Sequence, residues 1–321
     1  MTKVLSSGSS NRKIRSSRRL KTDKINVSKN NDSCKESKHS VDQEMQGLCV
    51  VATPIGNSGD LGHRALEILE TASLIACEDT RVTAKLLSIY GILSPTMSYH
   101  EHNSRQQIPK LLRRMKNNEP VALVCDAGTP LISDPGFRLV QACIKEKVPI
   151  SAIPGPSTVL AALVVSGLPT DRFFFQGFLA NKKGLRRAQL RELSSVPGSL
   201  IFLESGRRLA ATLSDMVEEF GDRHGAICRE LTKIFEEVKR GKLSELATYY
   251  EKEGAPKGEI SVVIGPSTNK SEISDEELDQ ILTKALKNAS IRDASAEIAK
   301  FTGLARRRVY SRAITLDRKN Q

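Results

Sequence analysis

The stretch Val121 to Gly136, VALVCDAGTPLISDPG, restricts the fold more than any other part of this 321-residue chain. Val121, Ala122, Leu123 and Val124 lead through Cys125 into Asp126, Ala127, Gly128, Thr129 and Pro130. That order predicts a short buried strand ending in a loop of small residues. A second break, Asp134-Pro135-Gly136, precedes FRLVQACIKEK, where Phe137, Val140 and Ile144 fall at helical spacing and Pro135 suits a first turn. In an open parallel sheet such a loop sits at the carboxyl edge, where ligands bind. Gly128 permits a ligand to approach the backbone and Pro130 stiffens the loop. Taken alone, the same loop is equally a tight connection with no ligand.

The pattern recurs on both sides. LCVVATPIGN is a strand and loop, followed by a helix carrying Leu61, Ala65, Ile68 and Leu69 that Asp60 can cap. SLIACEDTR precedes a helix closed by Gly91, TMSYHEHNSR precedes QQIPKLLRRMKNN, and PISAIPGPST precedes an apolar helical run. Alternation of this kind predicts βαβ units and a parallel sheet, forming one α/β domain over 48–168. After a Gly/Pro break, FFFQGF, SLIFLES, HGAICREL, FEEVKRGKL and GEISVVIG read as strands, with helices between them. They predict a second, mixed α/β domain over 169–266. Beyond a linker, Ser274-Asp-Glu-Glu277 has the capping-box pattern and opens a helix with Leu278, Ile281, Leu282, Ala285 and Leu286 on one face. Two further helices break at Thr302-Gly303, and the second carries Arg306, Arg307, Arg308 and Arg312. The segment 274–317 is therefore helix-turn-helix-like, or else a small capping bundle with a solvated basic face.

Composition narrows the class. A hydrophobic share of 39% and a charged share of 27% fit a soluble globular protein. No apolar run approaches the roughly 18 residues that span a bilayer. The six cysteines (34, 49, 77, 125, 143, 228) form no CxxC pair and no Cys/His ligand spacing, so a reducing, cytoplasmic setting without disulfides or a metal is expected. The net charge of +12 points toward an acidic partner, nucleic acid first. Half of it lies in residues 1–46, with 11 Lys/Arg against 5 Asp/Glu and ten serines. This segment is expected to be a disordered basic tail. Its first 22 residues, with seven Lys/Arg and no acid, also resemble an organellar transit peptide but lack amphipathic apolar content.

Five loops belong together: ATPIGN at 52–57, CEDTR at 77–81, SYHEHN at 98–103, DAGTPLISDPG at 126–136 and IPGPST at 153–158. In order and spacing they resemble a tetrapyrrole-methylase-type methyltransferase. Within that superfamily they are similar to the ribosomal RNA small subunit methyltransferase I group, which methylates a cytidine ribose 2′-oxygen in 16S rRNA with S-adenosylmethionine. GLPTDRFFFQGFL, LESGRRL, RELTK and KGEISVVIG carry the likeness through the second domain. The resemblance implies a two-domain α/β fold and a homodimer. It also implies 16S rRNA or the small ribosomal subunit as partner, with methylation in the decoding region. For S-adenosyl-L-methionine it implies a pocket at Gly128, Thr129, Ile132, Ser157 and Thr158, with Pro54 and Leu179 closing its sides. Three departures stand out: Leu131 where glycine is usual, Ser58 for an apolar residue, and Gly206-Arg207 where Pro-His is common. No catalytic role passes to position 207.

The residue types agree with that pocket: glycine and hydroxyls beside aliphatics, with neither GxGxxG nor GxxxxGK[ST] anywhere in the chain. Ser157 could also cap a helix. A ribose hydroxyl attacks well only once its proton is drawn off. Glu78, Asp79, His100, Glu101 and His102 stand at strand ends on the expected side, and the pattern does not choose among them. For RNA, Arg81, Arg229 and Lys233 read as phosphate partners or structural ion pairs. Lys182, Lys183, Arg186 and Arg187 form a basic helix, Arg306, Arg307 and Arg308 a second basic patch, and Tyr99 offers a stacking ring. With 4% aromatic residues and no Trp, charge and shape must carry most of the affinity. The same fold also serves methylation of tetrapyrrole carbons and of a diphthine-type modified histidine. A non-enzymatic regulator, sensing a ligand and binding DNA through the C-terminal helices, is the third reading.

Overall fold

Five short segments, most of them aliphatic, become parallel strands with helices covering the sheet on both faces. They are β1 (Leu48–Val51), β2 (Leu74–Cys77), β3 (Thr96–Ser98), β4 (Val121–Leu123) and β5 (Ile150–Ile153), in the order β3-β2-β4-β1-β5. Every pairing in this sheet is parallel. The structure, a computed structural model, describes residues 46–267, 275–287, 289–302 and 304–319. The basic tail up to residue 45 and the Ser274 cap lie outside them. Helices α1 (His63–Thr71), α2 (Thr80–Tyr90), α3 (Ser104–Lys116), α4 (Phe137–Lys145) and α5 (Thr158–Ser166) follow the successive strands. Cys49, Ile68, Ile75 and Leu87 fill one side of the sheet, and Leu48, Leu111, Leu123 and Leu139 the other. Burying one such Leu or Ile is worth about 1.5–3 kcal/mol. The five sequence loops therefore all emerge at the carboxyl edge.

Local details correct the sequence reading. Asp60 does not cap α1. It ends a 3-10 turn (Ser58–Asp60) that forms because the Asn57 side chain accepts the Gly59 N–H at 3.0 Å, and α1 starts later with no side-chain cap. Helix α4 begins at Phe137, beyond Pro135, and buries Leu139 and Cys143, while Phe137 and Ile144 are 62% and 65% exposed. Gly136, at φ +142, turns the chain there, and a Cβ on it would lie 2.8 Å from Leu131 Cδ1. Leu131 itself stands at φ +75, a left-handed conformation that suits the glycine usual at this position.

The second sheet is mixed. β6 (Phe173–Phe178), β7 (Ser199–Ser205), β8 (His224–Arg229), β9 (Glu237–Lys242) and β10 (Glu259–Ile264) take the order β6-β7-β10-β8-β9. Only β6 and β7 pair in parallel. On one face α6 (Lys183–Leu193), α7 (Gly206–Phe220) and α8 (Leu243–Glu253) bury Leu190, Phe202, Leu213 and Leu246. The other face is covered by α5, whose Val159, Ala162 and Leu163 pack against Ile201, Ala226 and Val263. Helix α5 thus belongs to the first domain by sequence and to the core of the second sheet by packing, which ties the two sheets together. At Gly206 a Cβ would fall 1.8 Å from the Pro256 carbonyl oxygen, so only glycine fits against the loop before β10.

The C-terminal helices α9 (Asp275–Ala285), α10 (Ile291–Thr302) and α11 (Arg306–Lys319) share a core of Leu278, Leu282, Ile298, Val309 and Ala313. No helix among the described residues is long and apolar enough to cross a membrane.

Candidate active site

The loops after β1, β4 and β5 wall one side of a cavity of about 370 Å³, a volume in the roughly 300–1,000 Å³ range of small-molecule sites. That wall includes Ile55, Gly128, Thr129, Ile132, Ser157 and Thr158; opposite stand Phe178, Leu203 and Ile260 of the second sheet and Leu231 of the loop after β8. Gly128 exchanges two backbone hydrogen bonds with Thr53, at 2.8 and 3.0 Å, and sits at φ +81. The Thr129 hydroxyl donates to the Pro156 carbonyl at 3.0 Å and so couples the β4 and β5 loops. The Ser157 side chain caps α5, accepting from the Leu160 N–H, and the first turn of that helix forms part of the cavity wall. Unpaired N–H groups at such a helix start favour a carboxylate or other anion. Pro54 and Leu179 do not line the cavity. Leu179 is packed in the second-domain core, and its carbonyl accepts from Arg208 Nη2 at 2.8 Å. The opposite wall was not legible in the sequence, because ordinary strand aliphatics supply it.

A second, more open cavity of about 490 Å³ lies at the ends of β2, β3 and β4, lined by Glu78, Asp79, Thr80, Arg81, Ser98, His100, His102 and Asp126. Asp79 is committed to structure. Its N–H donates to the Asp126 carboxylate at 3.0 Å, and its own carboxylate caps α2 while gripping Arg81 Nη2 at 2.6 Å. Hydrogen bonds from the Arg81 side chain and backbone hold its carboxyl down at about 2. Glu78 goes the other way. Burial first, then the neighbouring carboxylates of Asp126, Asp134 and Asp79, push its carboxyl above the usual glutamate range. Asp134, on the wall of the apolar cavity, is also pushed up by burial, against a hydrogen bond with Cys125. Glu78, Asp126 and Asp134 therefore share one field across both cavities. The sequence showed Asp126 and Asp134 only as loop residues.

His100 and His102 approach edge to face with ring centroids 6.0 Å apart. The His100 backbone N–H donates to Asn103 Oδ1 at 2.9 Å, and its Nδ1 is buried with no hydrogen-bond partner among the described residues. Glu101 falls outside the cavity: it is exposed and pairs with Arg138 at 3.0 Å. No group of His, Cys, Asp and Glu among the described residues is arranged to hold a metal ion.

Of the basic residues, several are already spoken for. Arg186 is buried and bonds the buried Asp215 at 2.6 Å, which removes it from any RNA surface. Lys183 reaches the same carboxylate at 3.7 Å, and Arg187 pairs with Glu218 and Glu219 at 2.6 and 2.7 Å. Arg229 pairs with Glu237 at 3.1 Å, Lys233 with Glu230 and Glu259 at 2.8 and 3.1 Å, and Arg308 with Asp275 at 3.1 Å. Arg81, though bonded to Asp79 at 2.6 Å, is exposed beside the polar cavity, and Lys182, Arg306 and Arg307 are exposed too. Tyr99 cannot stack on a base: its N–H continues the ladder to Cys77 O at 2.7 Å, and its ring is only 1% exposed. Arg186→Ala strands a buried carboxylate, and the expected loss is about 3 kcal/mol of stability, read by urea unfolding, with activity per folded molecule retained.

Residues 47–247 match the family described as Tetrapyrrole (Corrin/Porphyrin) Methylases, and residues 272–317 match the RsmI C-terminal HTH domain. The chain is 48% identical over 270 residues to ribosomal RNA small subunit methyltransferase I of Mesorhizobium japonicum, covering 84% of this chain and 92% of that one. To the protein of the same name from Synechocystis sp. it is 42% identical over 274 residues, covering 84% and 98%. A solved structure of diphthine synthase shares the fold, with a TM-score of 0.53 at 16% identity over 68% of this chain and 89% of that one. With matches spanning both α/β domains and the C-terminal helices, the chain belongs to the tetrapyrrole methylase family and, within it, to the ribosomal RNA small subunit methyltransferase I group.

Proposed function

We propose that this protein uses S-adenosylmethionine to methylate the 2′-oxygen of a cytidine ribose in 16S rRNA, in the decoding region of the small ribosomal subunit. The observation that carries the reading is the pair of neighbouring cavities, one apolar with backbone donors, the other polar and open, joined by the Glu78, Asp126 and Asp134 carboxyls. The first fits the donor: aliphatic walls for the nucleoside, hydroxyls at Thr129 and Thr158, and the start of α5 for the carboxylate tail. S-adenosylmethionine, when bound, supplies an electrophilic methyl on a positively charged sulfonium.

The chain's own part is alignment and proton removal. Gly128 and Thr129 set the donor's depth. Glu78 accepts the ribose hydroxyl proton, since Asp79 is occupied by Arg81 and too acidic to serve. His100 and His102 border the same space and orient the nucleotide. Arg81, Lys182, Arg306 and Arg307 contact phosphates. In this reading the enzyme works in the cytoplasm as a homodimer, with Leu160 and Val164, 51% and 69% exposed on the outer side of α5, in the subunit contact.

The carboxyl cluster makes the donor's charge measurable. Glu78 and Asp134 release protons when a sulfonium binds beside them, because a nearby cation favours their ionised forms. Calorimetry in mildly acidic buffers of differing ionisation enthalpy is expected to record more proton release with S-adenosylmethionine than with the uncharged S-adenosylhomocysteine. Equal release by both would place the sulfonium away from the cluster. The function itself is tested by incubating the protein with labelled donor and small subunits from a strain lacking this modification. Labelled 2′-O-methylcytidine in the digested 16S rRNA is the expected product, and label on a base or on protein would contradict the reading.

A further inference from the structure

The loop between β8 and β9 is held rigidly while presenting its most apolar residues to solvent. Ile234 is 91% exposed and Phe235 67% exposed. Glu230 and Thr232 adopt φ of +51 and +65, unfavourable for non-glycine residues and more so for a β-branched one. The surroundings enforce that shape. Glu230 accepts the Glu259 N–H at 3.0 Å and Lys233 Nζ at 2.8 Å, and Glu236 accepts the Thr232 N–H at 2.7 Å. The Thr232 hydroxyl accepts the Asn57 N–H at 3.1 Å, which pins the loop onto the loop after β1. The approach is so close that a Cβ on Gly56 would lie 2.4 Å from Lys233 Cγ. Leu231, one turn earlier, is buried and lines the apolar cavity. The exposed pair therefore stands on a fixed mount at the carboxyl edge of the first sheet, continuous with the site.

We infer that Phe235, flanked by Ile234, is a stacking platform for a base of the RNA substrate next to the nucleotide being methylated. A rigid, preorganised ring loses little freedom on binding. Base-on-ring stacking needs no charge, and the cations of this loop, Arg229 and Lys233, are neutralised by Glu237, Glu230 and Glu259. Tyr99 is buried, whereas Phe235 turns its ring to solvent beside the site. This inference rests on the RNA reading above.

The test compares wild type, Phe235→Ala and Phe235→Trp on small subunits, with donor affinity and sedimentation measured in parallel. Phe235→Ala is expected to lower kcat/KM for the subunit by about 5–100-fold through KM, with donor affinity and oligomeric state unchanged, and Phe235→Trp is expected to restore it. Active wild type with Phe235→Ala within two-fold of it overturns the stacking role alone. A change of oligomeric state in Phe235→Ala assigns the ring to a subunit contact instead, which also overturns it. Wild type inactive on subunits removes both this inference and the reading beneath it.

Discussion

Glu78→Gln is expected to lower the rate of methyl transfer by about 10²–10⁴-fold, the usual contribution of a positioned general base, and to leave donor affinity within a few-fold of wild type. Glutamine keeps the size and the hydrogen-bonding oxygen but cannot take the ribose proton. Burial and three neighbouring carboxylates favour protonated Glu78, so the acid limb of the wild-type rate profile lies above the value of 4.5 for an unperturbed glutamate. The rate climbs as pH rises through that limb, and the variant lacks it. Stability moves in the opposite sense. A carboxyl whose pKa is raised by folding destabilises the protein once pH exceeds its unfolded value. Glu78→Gln is therefore expected to match wild type in acid and to exceed it at neutral pH. Full activity in the variant would move the base to His100, whose Nδ1 has no partner among the described residues.

Gly128→Val is expected to weaken S-adenosylmethionine binding by at least about 100-fold, from the roughly 1–3 kcal/mol of strain added to obstruction of the cavity. The residue sits at φ +81, where a β-branched side chain is strongly disfavoured, and its Cβ would meet Ile55 Cγ2 at 3.3 Å. Both residues line the apolar cavity proposed for the donor. Relieving either effect requires the β4 loop to move off Thr53, to which it is bonded twice. Titration calorimetry measures the loss. Circular dichroism and the milder Gly128→Ala separate it from misfolding, and undiminished uptake by a folded Gly128→Val would remove the cavity from the donor site.

The first domain was legible because its central strands β2 and β4 are fully buried and its loops carry glycine and proline where the chain must turn. β4 and its loop, Gly91 at the end of α2 (φ +71) and the Ser157 cap all follow from residue type. Side-chain fate was less legible, because it depends on partners remote in sequence. Arg186 looks like one more cation on a basic helix until Asp215, on α7, is found buried beside it. Tyr99 looks like a loop ring, yet the β3 ladder continues through its N–H and turns the ring inward. Asp79 and Glu78 are adjacent acids that no sequence rule separates; one caps a helix and the other is desolvated among like charges. The far wall of the apolar cavity, Leu203, Leu231 and Ile260, comes from three separate segments of the second domain.

The most direct measurement is a crystal structure with S-adenosylhomocysteine. The ligand is expected against Gly128 and Thr129, with its carboxylate at the start of α5 and its sulfur facing the cavity of Glu78 and His100. A ligand seated elsewhere, or one whose sulfur faces away from that cavity, would contradict it.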